Sequence, residues 1–194
     1  MDPRRKTELD RLMELANVGA GHAASAFAQL VGRTIWTEVP IIVEGEGEGD
    51  GESESESGIE IAAASDRWCT GVFFEFDGCL DAQVAILFPG AASEALVRKI
   101  VGIESGDLSP SLIESALMEV GNILASHVAS AIADTMNARL LPSIPTLAMQ
   151  DAERALSVWV AERSGHDATR IECGLHDESG ELRGRLVLIP AQGS

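Results

Sequence analysis

The sequence predicts an α+β fold made of two similar halves, each of which runs through a long helix, a short strand, a connection and a strand hairpin. Three observations predict it. The chain of 194 residues is 45% hydrophobic, which is enough apolar material for one core shared by two half-size units. Hairpin signals occur in both halves, at Asp77 and Gly78 and in the ESGE stretch at 178–181. An eight-residue stretch also occurs twice, as DRLMELAN at 10–17 and SALMEVGN at 115–122.

Local signals justify the elements in order. A long helix is predicted over the first copy, because apolar residues recur there at helical spacing. A second long helix is predicted from Pro110 to about Asn137, since Ser109 followed by Pro110 is typical of a helix start. Shorter helices are predicted at 91–100 and at 151–164, the latter capped by Asp151. Strands are predicted at 39–43, 68–78, 79–90, 144–149, 169–177 and 182–190.

The stretch EGEGEGDGESESESG at 44–58 is of low complexity. Acidic residues that alternate with Gly or Ser cannot bury apolar surface and repel one another, so we predict an exposed, disordered loop. Apolar runs flank it at 39–43 and 59–64. We therefore interpret it as an insertion between two strands rather than a domain boundary.

A shift of 105 residues places 8–40 over 113–145 without a gap and gives eleven identities in 33 positions. Four of these are alanine pairs in an alanine-rich segment and carry little weight. The identical Glu, Asn, His and Pro positions carry more, because helix-forming composition does not require them. We therefore predict a single domain over 1–194 with an internal duplication, whose halves cover about 1–104 and about 105–194.

The chain is strongly acidic, with 14 basic and 31 acidic residues and a net charge of −17. Such a surface repels nucleic acid phosphates and anionic lipid, so we predict no nucleic-acid binding and no membrane insertion. Two of the basic residues are Lys and the rest are Arg. Many acidic residues with few Lys favour a halophilic source, which predicts that stability rises steeply into molar salt.

Cysteine usage favours a cytoplasmic protein. Cys69, Cys79 and Cys173 are odd in number and show no CxxC spacing, so neither a disulfide framework nor a zinc site is indicated. The first ten residues lack the apolar stretch of a signal peptide. We also expect no membrane span, because no apolar run approaches the required length.

Three polar residues of each repeated stretch are predicted to share one helical face. At 100° per residue, Asp10, Glu14 and Asn17 fall in a stripe about 60° wide and roughly 10 Å long. The same stripe occurs in the second copy at Ser115, Glu119 and Asn122. Since apolar residues occupy another side of the helix, both stripes are expected to face outward.

The residue types of these stripes disfavour several kinds of site. Metal binding is disfavoured because di-iron bundles use Glu-x-x-His, and here Asn, a weak ligand, replaces His. A catalytic triad is not indicated, because no Ser has an obvious nucleophile setting. A phosphate-binding loop is not indicated either, since the Gly-rich stretch is acidic and would repel phosphate. An exposed Asn can hold a water in line with a phosphorus atom, and Glu can pair with a cation of a partner. A solvated helix face is the alternative for either copy alone.

The full spacing, Asp/Ser-x-x-x-Glu-x-x-Asn followed by 22 residues and Pro, resembles the CheC/CheX/FliY family of chemotaxis phosphatases. It occurs in this chain at Asp10, Glu14, Asn17 and Pro40, and again at Ser115, Glu119, Asn122 and Pro145. The resemblance covers essentially the whole chain and is closest to CheC, because no carboxy-terminal flagellar-switch domain follows. It implies two pseudo-symmetric halves that share a mostly antiparallel sheet, with long helices packed on it.

The resemblance implies a function in two-component signal transduction. Such proteins remove the phosphoryl group from the aspartyl phosphate of the chemotaxis response regulator CheY, which terminates or adapts the signal. The regulator supplies Mg²⁺ and the phosphorylated Asp, so no cofactor or metal of the chain's own is expected. The receptor deamidase CheD is a further expected partner. A non-catalytic module that docks CheY or CheD is the alternative.

The resemblance also implies a role for each residue of the pattern. The glutamates form a salt bridge to a regulator Lys, the asparagines orient the attacking water, and the first residue of each stripe supports docking. Each proline either shapes the site by turning the chain into the next strand or forms a local turn with no catalytic part. These residues are Glu14 and Glu119, Asn17 and Asn122, Asp10 and Ser115, and Pro40 and Pro145.

Structural roles are predicted for five residues near the stripes. Gly19 and Gly21 are expected to let another helix or the sheet approach closely, or to kink the helix, and Gly121 is expected to do the same in the second copy. His22 and His127 lie about 140° from the asparagines around the helix, so we expect packing or capping roles for them.

Overall fold

The computed structural model describes residues 3–44, 67–165 and 168–191. The helices in these ranges are α1 Pro3–Val31, α2 Gly90–Val101, α3 Pro110–Met136 and α4 Ala152–Ser164. The strands are β1 Trp36–Thr37, β2 Ile41–Val43, β3 Trp68–Gly78, β4 Ala82–Pro89, β5 Leu140–Pro142, β6 Thr146–Ala148, β7 Arg170–His176 and β8 Arg183–Pro190. Apart from Glu44, the acidic stretch and the run at 59–64 lie outside the described residues, so the disordered loop stays a prediction.

The strands form one sheet in the order β1-β7-β8-β4-β3-β5, with β2 also beside β7 and β6 beside β3. Every pairing within the described ranges is antiparallel. The predicted fold class, α+β with helices packed on an antiparallel sheet, is therefore confirmed. The short strands pair with the hairpin of the other predicted half: β1 and β2 with β7, and β5 and β6 with β3. The internal duplication itself stays a prediction.

The first hairpin is present, but its turn lies just after the predicted one. Asp77 and Gly78 are the last residues of β3, where they pair with Leu141 and Leu140 of β5. Gly78 has a φ of +135°, and a Cβ there would meet the carbonyl oxygen of Arg139. The missing side chain of Gly78 therefore allows a close contact between β3 and the residue that precedes β5. The chain turns after it, at 79–81.

Alternate residues of the sheet face two different helical layers. On β3, Val72 and Phe74 face the main core, which also contains residues of α1, α2 and α3. Phe73 points to the opposite face, where it joins a smaller cluster with Leu156 and Val160 of α4. The two helices that carry the repeated stretches therefore share one layer.

Local signals place the ends of α3 where the sequence predicts them. The hydroxyl of Ser109 accepts a hydrogen bond from the backbone N–H three residues further on, at 3.3 Å, and Pro110 is the first helical residue. Asn137 ends the helix in the left-handed conformation, with φ of 48°. Both ends follow from short-range chemistry, so they were readable from the chain alone.

The expectation that no segment is long and apolar enough to span a membrane is wrong for α3. Pro110–Met136 meets that criterion by length and composition, with a mean hydropathy of 1.3 over its most apolar window. Half of that window is buried inside the protein, where Leu117, Leu124 and Ile132 belong to the main core. Core helices meet the same criterion, so the hydropathy follows from packing against the sheet and α1.

A buried carboxylate organises the turn between β7 and β8. Asp177 is 4% exposed, and its oxygens accept hydrogen bonds from Ser179 Oγ at 2.7 Å, Arg33 Nη1 at 2.9 Å and the Leu182 N–H at 3.2 Å. Desolvation opposes the charge, but the hydrogen bonds outweigh it and hold the pKa of Asp177 below its ordinary value. The interaction also ties the chain segment after α1 to this turn.

Replacing Asp177 by Asn is expected to lower the free energy of unfolding by about 2 kcal/mol at neutral pH, because it removes charge-assisted hydrogen bonds to a buried group. A carboxyl with a lowered pKa stabilises the fold above its ordinary pKa of about 3.9 and loses that contribution as the pH falls through the folded value. Urea unfolding should therefore show a difference in the free energy of unfolding between the native chain and Asp177→Asn at pH 7, and this difference should shrink below about pH 4. The exposed neighbour Glu178, changed to Gln, is the control and should differ little at either pH.

Candidate functional site

All six residues of the two stripes are exposed. On α1 they alternate with the buried Leu12, Leu15 and Ala16, and on α3 with residues buried in the same core. Burial of one side of each helix therefore fixes which side meets solvent. The polar members of the stripes are Asp10, Glu14 and Asn17 on α1, and Ser115, Glu119 and Asn122 on α3.

The helices α1 and α3 run in opposite directions. After α1, Arg33 bonds to Asp177 in the turn between β7 and β8. After α3, the carbonyl of Arg139 accepts a hydrogen bond from the Cys79 N–H, in the turn between β3 and β4, at 2.9 Å. The first turn directly precedes β8, and the second directly precedes β4. Because β4 and β8 are antiparallel neighbours, the two turns lie at opposite ends of the sheet. The carboxyl ends of the two helices therefore point to opposite ends of the sheet.

The two helices touch near their middles. A Cβ on Gly19 would stand 2.9 Å from Val128 Cγ1, so the glycine lets α1 approach α3 closely. Asn17 lies two residues before Gly19 on α1, and Asn122 lies six residues before Val128 on α3. Because the helices are antiparallel, these two offsets run in opposite directions from the contact and add up. At 1.5 Å per residue, the asparagines are therefore about 12 Å apart along the helix axes.

A second glycine sets how closely α3 approaches the sheet. A Cβ on Gly121 would stand 2.6 Å from Val72 Cγ1 of β3. The expected close approach is therefore present at Gly19 and Gly121, but it is wrong for Gly21, where a Cβ would meet nothing within 4 Å among the described residues. Because Gly121 directly precedes Asn122, the depth at which α3 packs also sets the position of that amide.

Each proline of the pattern directly precedes a short strand. Pro40 is buried and leads into β2, and Pro145 is half-buried and leads into β6. Both strands lie at an edge of the sheet, where the missing N–H of a proline costs no ladder bond. These positions suit a turn into the next strand, and a role in docking stays a prediction.

Among the residues that the structure describes, Cys173, His22 and His127 offer no competing site. Burial raises the pKa of Cys173 to about 11, and its thiol donates a hydrogen bond to the Glu38 carbonyl at 3.0 Å, so it is a poor nucleophile. His22 and His127 are exposed and lie within the helices, so the packing or capping role expected for them is wrong. Within 3–44, 67–165 and 168–191, no three His, Cys, Asp or Glu residues group closely enough to hold a metal ion.

Comparison with known proteins finds a family model that matches the repeated segments and a similar curated protein. The model of the family described as CheC-like matches residues 8–44 and 112–148, and each segment contains one stripe with its proline. The chain is also 29% identical, over 194 residues, to the CheY-P phosphatase CheC of Bacillus subtilis strain 168, covering 96% of this chain and 89% of the relative. Both repeated segments of the chain therefore match the CheC-like family model.

Solved structures share the CheC-like fold. Thermotoga maritima FliY is 14% identical with a TM-score of 0.65, covering 98% of this chain and 91% of FliY. The CheX–CheY–BeF₃–Mg²⁺ complex from Borrelia burgdorferi matches at 11% identity and a TM-score of 0.64, covering 93% of this chain and 99% of the matched one. At these identities the likeness shows the shared fold alone.

Sequence reasoning missed four exposed apolar side chains near the prolines. Val39 and Ile144, each directly before a proline, are 82% and 88% exposed. Trp36 and Leu141, three residues earlier, are 57% and 49% exposed. A signal was available, because the shift of 105 residues pairs Trp36 with Leu141 and Val39 with Ile144 without requiring identity.

Proposed function

We propose that this CheC-like chain hydrolyses the aspartyl phosphate of the chemotaxis response regulator CheY. Asn17 and Asn122 position the attacking water, while Glu14 and Glu119 dock the regulator through a Lys. The observation that carries the proposal is the outward exposure of two Glu–Asn stripes on rigid, packed helices. The B. subtilis relative named CheY-P phosphatase and the structure named as a CheX–CheY complex support it.

The chemistry asks little of the phosphatase itself. The regulator brings the phosphorylated Asp and Mg²⁺, which neutralises charge on the phosphoryl oxygens, so this chain needs no metal of its own. What remains is to hold a water in line with phosphorus, and an amide offers two donors and an acceptor in a fixed plane for that purpose. An error of about 1 Å in such positioning costs about 100-fold in rate, which explains why a packed helix suits the role.

The glutamates are available for docking. Within the described ranges, no ion pair engages Glu14 or Glu119, and both side chains are exposed. A carboxylate that is free before binding can pair with a regulator Lys without breaking an existing bond. The chain's net charge of −17 would further speed the approach of a cationic patch at low salt.

In this proposal, Asp10 and Ser115 support docking, the protein acts in the cytoplasm, and its activity terminates or adapts the chemotaxis signal. CheD is a second proposed partner. The competing function is a non-catalytic adaptor that docks CheY or CheD through the same helices. The asparagines favour catalysis over the adaptor, because docking alone does not need an amide at the same position twice.

The test follows the decay of phosphorylated CheY with Mg²⁺ in the presence of the chain. We expect the native protein to accelerate the decay, and the double charge reversal Glu14→Lys with Glu119→Lys to raise KM by tenfold or more through like-charge contact with the regulator Lys. Glu162→Lys reverses one exposed charge on α4, on the opposite face of the sheet from both stripes, and should leave KM unchanged. Binding of the regulator without faster decay would favour the adaptor.

A further inference from the structure

Gly21, just beyond the first stripe, is a glycine that packing within the described residues does not require. Three glycines lie inside α1 and α3, and close contacts account for two of them. A Cβ on Gly19 would stand 2.9 Å from Val128 Cγ1, and one on Gly121 would stand 2.6 Å from a valine of β3. A Cβ on Gly21 would meet nothing within 4 Å among the described residues. Because glycine destabilises a helix interior relative to alanine, Gly21 lowers stability without serving a close contact there.

Gly21 lies on the same face of α1 as the polar residues of the first stripe. At 100° per residue, it falls about 40° from Asn17 and about 20° from Glu14 around the helix. At 1.5 Å per residue, it lies about 6 Å beyond Asn17 along the axis. Gly21 also lines an open groove of about 640 Å³, so there is room above its backbone for part of another molecule.

An interface that brings a phosphoryl group to Asn17 also covers Gly21. A stable interface buries about 800 Å² on each partner, which corresponds to a patch about 30 Å across. A patch centred on Asn17 therefore extends well past a position that is about 6 Å away on the same face. The regulator is accordingly the molecule that meets Gly21 whenever its phosphoryl group reaches the first asparagine.

The second copy differs at the equivalent position. The shift of 105 residues pairs Gly21 with Ser126, which is exposed. The hydroxyl of Ser126 donates a hydrogen bond to the backbone carbonyl of Asn122 at 2.7 Å. A side chain therefore stands next to Asn122 where the first copy has bare backbone, so the two copies share their Glu and Asn but not the space beside them.

We propose that Gly21 is a contact point at which the main chain of the regulator, next to its phosphorylated Asp, packs directly against α1. Glycine permits such an approach because it has no Cβ to hold another backbone away. The inference rests on the proposed function and makes Gly21 the residue that sets how closely the regulator docks at the first copy. At the second copy, Ser126 keeps the regulator further from α3.

The experiment isolates the first copy in a background that carries Glu119→Lys and Asn122→Ala, which weakens docking and stops turnover at the second. In this background, Gly21→Leu is expected to raise the Kd of CheY loaded with BeF₃ and Mg²⁺ by about tenfold or more, and Gly21→Ala by about threefold. Each new side chain fills space that the regulator occupies. The value of kcat/KM for phosphorylated CheY should fall by at least the same factors.

Urea unfolding separates docking from folding. Gly21→Ala is expected to raise the unfolding midpoint, because alanine is the better helix former and the new Cβ has room. Weaker binding by a more stable chain cannot come from misfolding. A purely structural role for Gly21 would instead lower the midpoint or leave Kd unchanged.

The matched control is Ser157→Leu, which places the same side chain at an exposed position of α4, on the opposite face of the sheet. It should leave Kd unchanged. The reciprocal experiment uses a background with Glu14→Lys and Asn17→Ala, in which only the second copy docks the regulator well and turns it over. There, Ser126→Gly is expected to lower Kd about threefold, because it removes the side chain that the first copy lacks.

A Kd for Gly21→Leu within about twofold of its background, or an equal rise in Ser157→Leu, overturns the contact at Gly21. An unchanged Kd in Ser126→Gly overturns the difference between the two copies. A native chain that binds loaded CheY without accelerating dephosphorylation overturns the proposed function instead, and the Kd values still decide the role of Gly21. A native chain that does not bind loaded CheY overturns both.

Discussion

Replacing both Asn17 and Asn122 by Ala is expected to lower kcat for dephosphorylation of CheY about 100-fold, because nothing then holds the attacking water in line with phosphorus. The Kd for the loaded regulator should change little, since the glutamates proposed to dock it remain. Each single variant should keep the activity of the other copy. The measurement is the decay of phosphorylated CheY under saturating and subsaturating conditions, which separates kcat from KM.

His22 and His127 provide the control on the same helices. Both are exposed, but they lie about 140° around the helix from the asparagines, so a double change to Ala should leave kcat unchanged. A loss of activity in the histidine variant would point to acid–base chemistry instead of water positioning. A double asparagine variant as active as the native chain would show that the amides have no part in the reaction.

Changing Gly121 to Ala is expected to lower the free energy of unfolding by about 1–3 kcal/mol, because the new Cβ would stand 2.6 Å from Val72 Cγ1 and force α3 off the sheet. The shift should also displace Asn122. In the Asn17→Ala background, where turnover comes from Asn122, kcat should fall by tenfold or more. Urea unfolding and the CheY decay assay measure the two effects on one sample.

Gly21→Ala is the matched control, since a Cβ there meets no atom within 4 Å. It should raise the free energy of unfolding by about 0.5–1 kcal/mol, as expected for Ala in place of Gly inside a helix. Combining Gly121→Ala with Val72→Ala removes the clash and should restore kcat in part. If Gly121→Ala were as stable and as active as the native chain, the close approach of α3 to β3 would not position Asn122.

Features set by short-range chemistry were predicted well from the sequence. The start of α3 follows from a Ser–Pro pair whose hydroxyl caps the helix, and its end from an Asn that accepts the left-handed conformation. The outward direction of the stripes follows from helical periodicity, because Leu12 and Ala16 must be buried on another side. Such signals lie within a few residues of what they determine.

Features set by contacts between distant segments were not predicted. The pairing of β1 and β2 with β7 depends on which sheet edge is free when the hairpins meet, and no local pattern encodes that. Gly78 carries an Asp-Gly turn signal, yet Arg139 from a distant segment approaches it and the turn moves to 79–81. The hydropathy of α3 was likewise underestimated, because a helix between a sheet and another helix buries more than one narrow side.

In the candidate site, too, residues marked by a local pattern were predicted and residues whose exposure depends on distant contacts were not. The polar stripes were visible because Glu and Asn recur at fixed spacing in both copies. Trp36 and Val39 were overlooked, because an apolar residue near a proline is normally assigned to the core and its exposure depends on the edge position of β1 and β2.

The most direct measurement is a crystal structure of this chain bound to CheY loaded with BeF₃ and Mg²⁺. The account predicts that Asn17 or Asn122 lies within about 3 Å of a water that is in line with beryllium, and that the adjacent Glu14 or Glu119 pairs with a regulator Lys. A complex in which CheY binds elsewhere, for example over α4 on the opposite face of the sheet, with both amides left in bulk solvent, would contradict it.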